Sequence, residues 1–297
     1  MIENPAVTNG GISNNYDGFG KTISFELDIF GEPVTFSIRI TQKQARLSDI
    51  IPLARTLSTK MTNLMLDRFR RNGEFVPCCK GCSACCNYLV PLSIPEVFRL
   101  REEVLNMPVE QRIRVLQSCL DTAKRIFDSK PKEFDINELA KTKSQIQLRQ
   151  ISKWYAGLDL ACPFLSDCTC TIYKHRPVAC REYIVTGSAL SCEAEWTDDS
   201  HVVQMPVRIL ECIGQLSAEL EQTDIEAVIL PLALPWALLN IERGKRTWPA
   251  VTMVERFVEI LRALNIEQSK TTDYKKTPGQ EPRNLLKNYR SELSKTH

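Results

Sequence analysis

Twelve cysteines give this chain its clearest capacity for chemistry. Four of them, Cys79, Cys82, Cys85 and Cys86, form one short group in which two residues separate each of the first three. Thiolates at this spacing converge on one side of a turn or loose helix, and Gly81 allows a close backbone approach to a metal. Such a run suits three corners of a four-iron cubane, and the bacterial ferredoxin run begins in the same way. Because Cys86 follows Cys85 directly, a remote cysteine must complete the site.

The first group predicts a metal without specifying which one, because zinc also accepts four thiolates and often binds paired Cys-x2-Cys units. Adjacent side chains rarely point the same way. Cys85 and Cys86 are therefore expected to bind different metals, or to divide between binding and packing. Cys78, Cys82 and Cys85 also have the spacing of the radical S-adenosylmethionine cluster. That interpretation is disfavoured, since Ala84 replaces the usual aromatic residue and no β/α barrel is predicted downstream.

A second group of cysteines lies between residues 162 and 192, in a segment rich in turn residues. Its motifs are Cys162-Pro163-Phe164-Leu165, Cys170-Thr171-Ile172-Tyr173 and Arg176-Pro177-Val178-Ala179-Cys180-Arg181, with Cys192 last. Together with the first group, they resemble the cysteine-cluster proteins described as zinc- or iron-chelating domains. The resemblance covers roughly residues 79–192. It implies one metal site or two neighbouring sites on eight thiolates: Cys79, Cys82, Cys85, Cys86, Cys162, Cys170, Cys180 and Cys192.

Flagellin lysine N-methylases, which are reported to use an iron–sulfur centre in methyl transfer, are more distantly similar. Their longer chains and fuller motif around the paired cysteines are not matched, so their activity does not transfer. Four cysteines lie outside the eight. Cys119 and Cys212 fall in predicted helices and are expected to be buried apolar thiols, whereas Cys78 and Cys168 flank ligand positions and could replace them.

Cations are expected beside the thiolates. Four thiolates around Zn²⁺, or around a cubane core of the same charge, leave two negative charges that are costly to bury uncompensated. Arg176 and Arg181 are predicted to donate to sulfur and to tune affinity or potential, or else only to satisfy carbonyl groups. His175 is expected to be exposed rather than a ligand. Tyr173 and Tyr183 are expected to pack beside the site.

The elements that must position these cysteines are predicted to be mainly helices. Alternating apolar residues at 23–29 and 34–40, with Gly31 between them, predict a β-hairpin. Helical periodicity marks residues 48–72, a helix from Ile94 capped by Ser93, and residues 109–129, 137–155, 206–220 and 253–264. The apolar run Ala227–Leu239 is expected to be buried core. The fold class is therefore mainly α with a small N-terminal β-hairpin.

Three regions are predicted along the chain. Residues 1–45 form the β-hairpin extension, and residues 46–267 form a helical domain organised around the cysteine-rich segment. Residues 268–297 contain seven Lys/Arg against three Asp/Glu and few apolar residues, so they are expected to form a flexible basic tail.

Net charge and the N-terminal sequence indicate which partners and which cellular compartment to expect. The chain has 297 residues and a formal charge of +2, so no general charge imbalance points to nucleic acid or a membrane surface. A polar N-terminus without a signal-peptide pattern favours the cytoplasm, where clustered cysteines more often bind metals than form disulfides. A disulfide scaffold would require an oxidising compartment.

The sequence thus predicts a metal-binding cysteine-cluster protein that holds an iron–sulfur cluster of the 4Fe-4S type, or iron. One alternative is a structural zinc module without catalysis. Another is an enzyme similar to an iron–sulfur-dependent lysine methyltransferase. No phosphate-binding loop, nucleophile elbow or His-Glu-x-x-His motif identifies a substrate, and whether the protein is an enzyme stays open.

Overall fold

The computed structural model describes residues 6–7, 20–29, 31–131, 145–187 and 201–271, without the side chains of residues 6–7, 145–149, 201 and 266–271. Within these ranges the helices are α1 (Ile51–Arg71), α2 (Ile94–Leu105), α3 (Val109–Ser129), α4 (Gln145–Ala156), α5 (Val178–Glu182), α6 (Ile209–Glu221), α7 (Ala233–Leu239) and α8 (Ala250–Thr271). The strands are β1 (Ala6–Val7), β2 (Lys21–Ile29), β3 (Glu32–Ile40), β4 (Gln44–Ala45), β5 (Pro91–Ser93), β6 (Leu165–Ser166), β7 (Thr169–Cys170), β8 (Val185–Thr186), β9 (His201–Val202), β10 (Ala227–Ile229) and β11 (Trp248–Pro249). The mainly α fold class is confirmed.

The N-terminal β-hairpin is also confirmed. Strands β2 and β3 pair antiparallel with Phe25 opposite Phe36, and β1 lies along the other edge of β3. The alternation buries one face, made of Phe25, Leu27, Ile29, Phe36, Ile38 and Ile40. Asn265 of α8 fixes the hairpin to the helices, since its side chain accepts the Asp28 N–H at 2.9 Å and donates to the Asp28 carbonyl at 2.7 Å.

Two hydrophobic clusters form the core. The first joins the buried face of the hairpin to α1, α6 and α8, and the second joins α2, α3 and α7 to residues between 155 and 172. The cysteine-rich segment touches both clusters, because Val178 belongs to the first while Cys162 and Cys170 pack against the second. The cysteines therefore lie where the two halves of the core meet. The predicted domain boundaries stay predictions.

The spacing of apolar residues predicted where the helices lie, and local chemistry sets where they begin and end. Ser93 and Glu96 form the capping box that starts α2, with the Ser93 N–H donating to the Glu96 carboxylate at 3.2 Å. Gly73 follows α1 with φ +74°, as a C-terminal glycine should. Ser48 does not cap α1, because it lies buried inside a 3₁₀ turn, Leu47–Ile50, that precedes the helix.

Other predictions are met in part. The helix expected at 137–155 is described from Gln145, and its first part lies outside the described residues, as does most of the tail from 268. The Ala227–Leu239 run is buried at its start but ends in Leu238 and Leu239, which are exposed. None of the described helices combines the length and apolarity needed to cross a bilayer.

Candidate metal centre

The first cysteine group is built from hydrogen-bonded turns rather than from a helix. The Cys82 N–H donates to the Cys79 carbonyl at 3.2 Å, and the Cys86 N–H donates to the Ser83 carbonyl at 2.8 Å. Gly81 has φ +95° at the third position of the first turn, a conformation that side chains rarely adopt. The two-residue spacing therefore corresponds to a turn that places successive cysteines at its two ends.

The thiols of Cys85 and Cys86 lie close enough to interact although the residues are adjacent. The Cys86 thiol, together with burial, raises the pKa of the Cys85 thiol. The alternation rule applies to strands and the 3.6-residue rule to helices, whereas these two cysteines lie in consecutive turns. Both sulfurs are thus available to one site.

The second group begins with a tight β-hairpin. Strands β6 and β7 pair antiparallel with Leu165 opposite Cys170, and Cys162 precedes β6 in the chain. Burial raises the pKa of the Cys162 thiol to about 12, while the Phe164 N–H opposes the rise by donating to its sulfur. Burial also raises the pKa of the Cys170 thiol, opposed by the Ile172 N–H and by Arg176. Each sulfur thus accepts the backbone N–H two residues later, an arrangement that favours the thiolate.

Backbone hydrogen bonds join the two groups directly. The Cys162 N–H donates to the Cys86 carbonyl at 2.7 Å. On the other side of the first group, the Gly187 N–H donates to the Phe75 carbonyl at 3.0 Å, and the Val185 N–H donates to the Cys78 sulfur. Segments more than seventy positions apart in the sequence therefore form one structural unit.

Helix α5 carries Cys180 and is held at both ends by buried carboxylates. Glu96, at the start of α2, accepts the Val178 N–H at 2.8 Å, so one carboxylate serves the N-termini of α2 and α5. Glu182, at the end of α5, accepts the Ile209 N–H at 2.9 Å and so caps α6. Burial raises the pKa of Glu182 to about 8, opposed by the N–H groups of Ile209 and Leu210. These contacts fix Cys180 to the core.

The Cys85 thiol is coupled electrostatically to thiols from several parts of the chain. Its charge contributes to raising the thiol pKa values of Cys78, Cys162, Cys170 and Cys180. For Cys180 the largest cause of the raised pKa is burial, followed by Cys162 and Cys85. Thiols that raise one another's pKa lie close together, and a bound cation would reverse this effect by favouring the thiolates.

A cavity of about 460 Å³ opens beside Cys85. Five of the described cysteines line it: Cys78, Cys79, Cys82, Cys85 and Cys180. Its other walls are Thr59, Thr62, Asn63 and Leu66 of α1, and Tyr173, Lys174, Arg176, Arg181, Tyr183 and Ile184. The α1 residues were not identified from the sequence. Their signal is a polar stripe at helical spacing beside the apolar face of α1.

Arg176 and Arg181, which were predicted to lie beside the thiolates, make different contacts. Arg181 is buried and donates to the Arg176 and Lys174 carbonyls and to the Thr59 hydroxyl at 2.7 Å. Burial, with Arg55 and Arg176 nearby, lowers the pKa of Arg181 to about 10. Arg176 lies over the Tyr173 ring at 4.4 Å, and its charge lowers the thiol pKa values in the cluster. Its buried Nε has no hydrogen-bond partner among the described residues. That either arginine donates to sulfur stays a prediction.

The histidine and the other candidate cysteines differ in how exposed they are. The His175 side chain is 57% exposed, with Nδ1 3.4 Å from Glu103 Oε1. Cys168 is exposed in the β6–β7 turn at φ +57°, whereas Cys119 and Cys212 are buried in α3 and α6. Cys192 lies outside the described residues.

Among the residues that the structure describes, no three Cys, His, Asp or Glu side chains already stand in metal-binding geometry, so ligation requires side-chain rotations. The soft thiolate donors nonetheless fit zinc, iron or an iron–sulfur cluster.

Residues 78–202 match the family model CxxCxxCC, described as "Putative zinc- or iron-chelating domain". The match supports a zinc- or iron-chelating domain over these residues, and it is to the family that the sequence motifs resemble. No curated protein and no solved structure matches the chain significantly. The likeness to flagellin lysine N-methylases stays a prediction.

Proposed function

We propose that this domain holds an iron–sulfur cluster, or iron, between its two cysteine groups. The proposed ligands are drawn from Cys79, Cys82, Cys85, Cys86, Cys162, Cys170, Cys180 and Cys192. Cys78 joins them as a candidate, because its thiol lines the same cavity and is coupled to Cys85. Cys168 is the weaker substitute, since it is exposed and is absent from the cavity wall.

The convergence on Cys85 carries the proposal. Cys78 and Cys180 line the same cavity as Cys85, and the Cys86 thiol interacts with it from the next position in the chain. Cys162 and Cys170 couple to it from the second group. A single turn-held thiol is thus coupled to thiols from segments distant in sequence, which favours one shared centre or two adjacent ones.

The cavity favours a centre with an open side. Structural zinc sites are closed tetrahedra, in which four protein ligands leave no free position. Here the sulfurs line a space of about 460 Å³, which falls within the size range of small-ligand pockets. A cluster, or iron with room for a second ligand, fits such a space better than a lone closed zinc ion does.

The chain's own residues supply the surroundings that such a centre needs. The N–H groups of Phe164 and Ile172 stabilise negative sulfur, and the Arg176 charge offsets part of the thiolate charge. Tyr173 and Tyr183 form apolar walls of the cavity. When bound, an iron–sulfur cluster supplies one-electron transfer or Lewis acidity.

Metal analysis of the full chain tests the proposal. Protein purified under anaerobic conditions is expected to be brown and to contain iron and acid-labile sulfide in stoichiometric amounts. Colourless protein with one tightly held zinc per chain would overturn the iron–sulfur proposal and identify a structural zinc module.

A further inference from the structure

Helix α3 has two apolar stripes on different sides. One packs into the second hydrophobic cluster and consists of Val115, Cys119, Thr122, Ala123 and Ile126. The other faces outward and consists of Val109, Ile113, Leu116, Leu120 and Phe127, which are 37–59% exposed. We call this second set the outer stripe. A helix that only covered the core would need one stripe, so the outer stripe requires a separate explanation.

The outer stripe has the spacing of a helix-packing seam. Its members follow one another at intervals of four, three, four and seven residues, and the position within the last interval is Ala123, which belongs to the buried inner stripe. This is the alternation of four and three that defines a coiled-coil face. The stripe therefore runs along the whole of α3, which is about 31 Å long at 1.5 Å per residue.

We propose that the outer stripe packs against the same stripe of a second copy of this chain, with the two α3 helices antiparallel. A two-fold axis near the middle of α3 pairs Val109 with the second copy's Phe127, and Leu116 with its Leu120. Ile113 then lies opposite the second copy's Ala123, which is buried in the core of its own chain. The other four residues of the outer stripe each lie opposite an exposed apolar residue of the second copy, as an isologous interface requires.

The charges beside the seam select the antiparallel arrangement. Glu110, Gln117 and Lys124 are exposed and occupy one flank at intervals of seven residues. The same axis brings Glu110 to within about 3 Å, along the helix direction, of the level of the second copy's Lys124, and it brings Gln117 equally close to the level of its own counterpart. In a parallel pair, Glu110 and Lys124 would lie roughly 21 Å apart along the axis, too far to interact. Opposite charges therefore coincide only in the antiparallel pair.

Sedimentation of the full chain over a roughly hundredfold concentration range tests the interface. The wild-type chain is expected to approach twice its 33.8 kDa mass as concentration rises. Leu120→Glu places a charge in the seam and is expected to leave only the monomer. Leu239→Glu is the matched control, because Leu239 is exposed on α7 and lies outside the stripe. Circular dichroism establishes that each variant is folded.

A charge exchange tests the orientation. Glu110→Lys or Lys124→Glu alone creates two like-charge contacts and is expected to weaken dimerisation roughly tenfold. The double variant restores both contacts and is expected to return to within about threefold of wild type. A wild-type chain that stays monomeric, or a folded Leu120→Glu chain that dimerises normally, would overturn the interface. A double variant as weak as the sum of its single changes would overturn the antiparallel pairing.

Discussion

At the scale of single residues, Cys180 and Cys212 form a natural pair for comparison. Both lie in helices, and burial raises the pKa of both thiols. Cys180 lines the cavity and is coupled to Cys85, whereas the Cys212 thiol donates to the Phe257 carbonyl at 3.4 Å, inside the first core cluster. Cys180→Ser is therefore expected to lower Zn²⁺ affinity by roughly 100-fold or more, and Cys212→Ser to leave it unchanged.

Competition titration of the metal-free protein against a chromophoric zinc chelator measures both affinities. Equal losses in the two variants would mean that Cys180 acts through folding rather than as a ligand. Unchanged affinity in Cys180→Ser would remove this cysteine from the proposed ligand set.

The sequence predicted which residues belong to the candidate site better than it predicted how their side chains are arranged. The two cysteine groups could be found because their spacing is a property of the sequence. The interaction of the Cys85 and Cys86 thiols could not, since it depends on consecutive turns whose hydrogen bonds no periodicity reveals. Arg176 and Arg181 looked equivalent in sequence. Only their packing shows that Arg181 donates to oxygen atoms while Arg176 faces the thiols.

At the scale of the elements, Glu96 links two helices that lie far apart in the sequence. Its buried carboxylate accepts the Ser93 and Val178 N–H groups and the Ser93 hydroxyl. Glu96→Ala leaves these donors unpaired and opens a cavity, so it is expected to lower the free energy of unfolding by about 2–4 kcal/mol. Urea unfolding measures the loss.

Glu242→Ala is the control for Glu96→Ala. Glu242 pairs with Lys245 on the surface, and removal of such an exposed pair is expected to cost under about 1 kcal/mol. Similar losses in both variants would show that the Glu96 link between α2 and α5 adds no more stability than a surface contact.

The helices were easier to predict than the contacts between them. Periodic apolar residues located α3 and α6 because a buried face repeats with the helix. The Ser93 cap was also visible, since the capping signal is local. That Glu96 also serves α5, or that Glu182 caps α6, could not be predicted, because both contacts join segments through the tertiary fold.

At the scale of the whole molecule, two proton-linked effects act on stability with opposite signs. The folded pKa of Glu182 is raised from 4.5 to about 8, so the folded protein keeps a proton that the unfolded chain releases. This group makes the metal-free protein lose stability as pH rises through that window. Metal binding works in the other direction, because the neutral thiols must release protons to become ligands.

The gain in Tm caused by excess Zn²⁺ is therefore expected to be larger near pH 8 than near pH 6. Each thiol proton displaced makes zinc affinity rise about tenfold per pH unit, and each tenfold adds about 1.4 kcal/mol of stability at saturating zinc. The Glu182 effect is present with and without metal, so it cancels when the Tm of the metal-free protein is subtracted at each pH. Thermal scans of wild type and Cys180→Ser measure this difference. A gain that does not change with pH in wild type would mean that zinc displaces no thiol protons, and so that the cysteines are not its ligands.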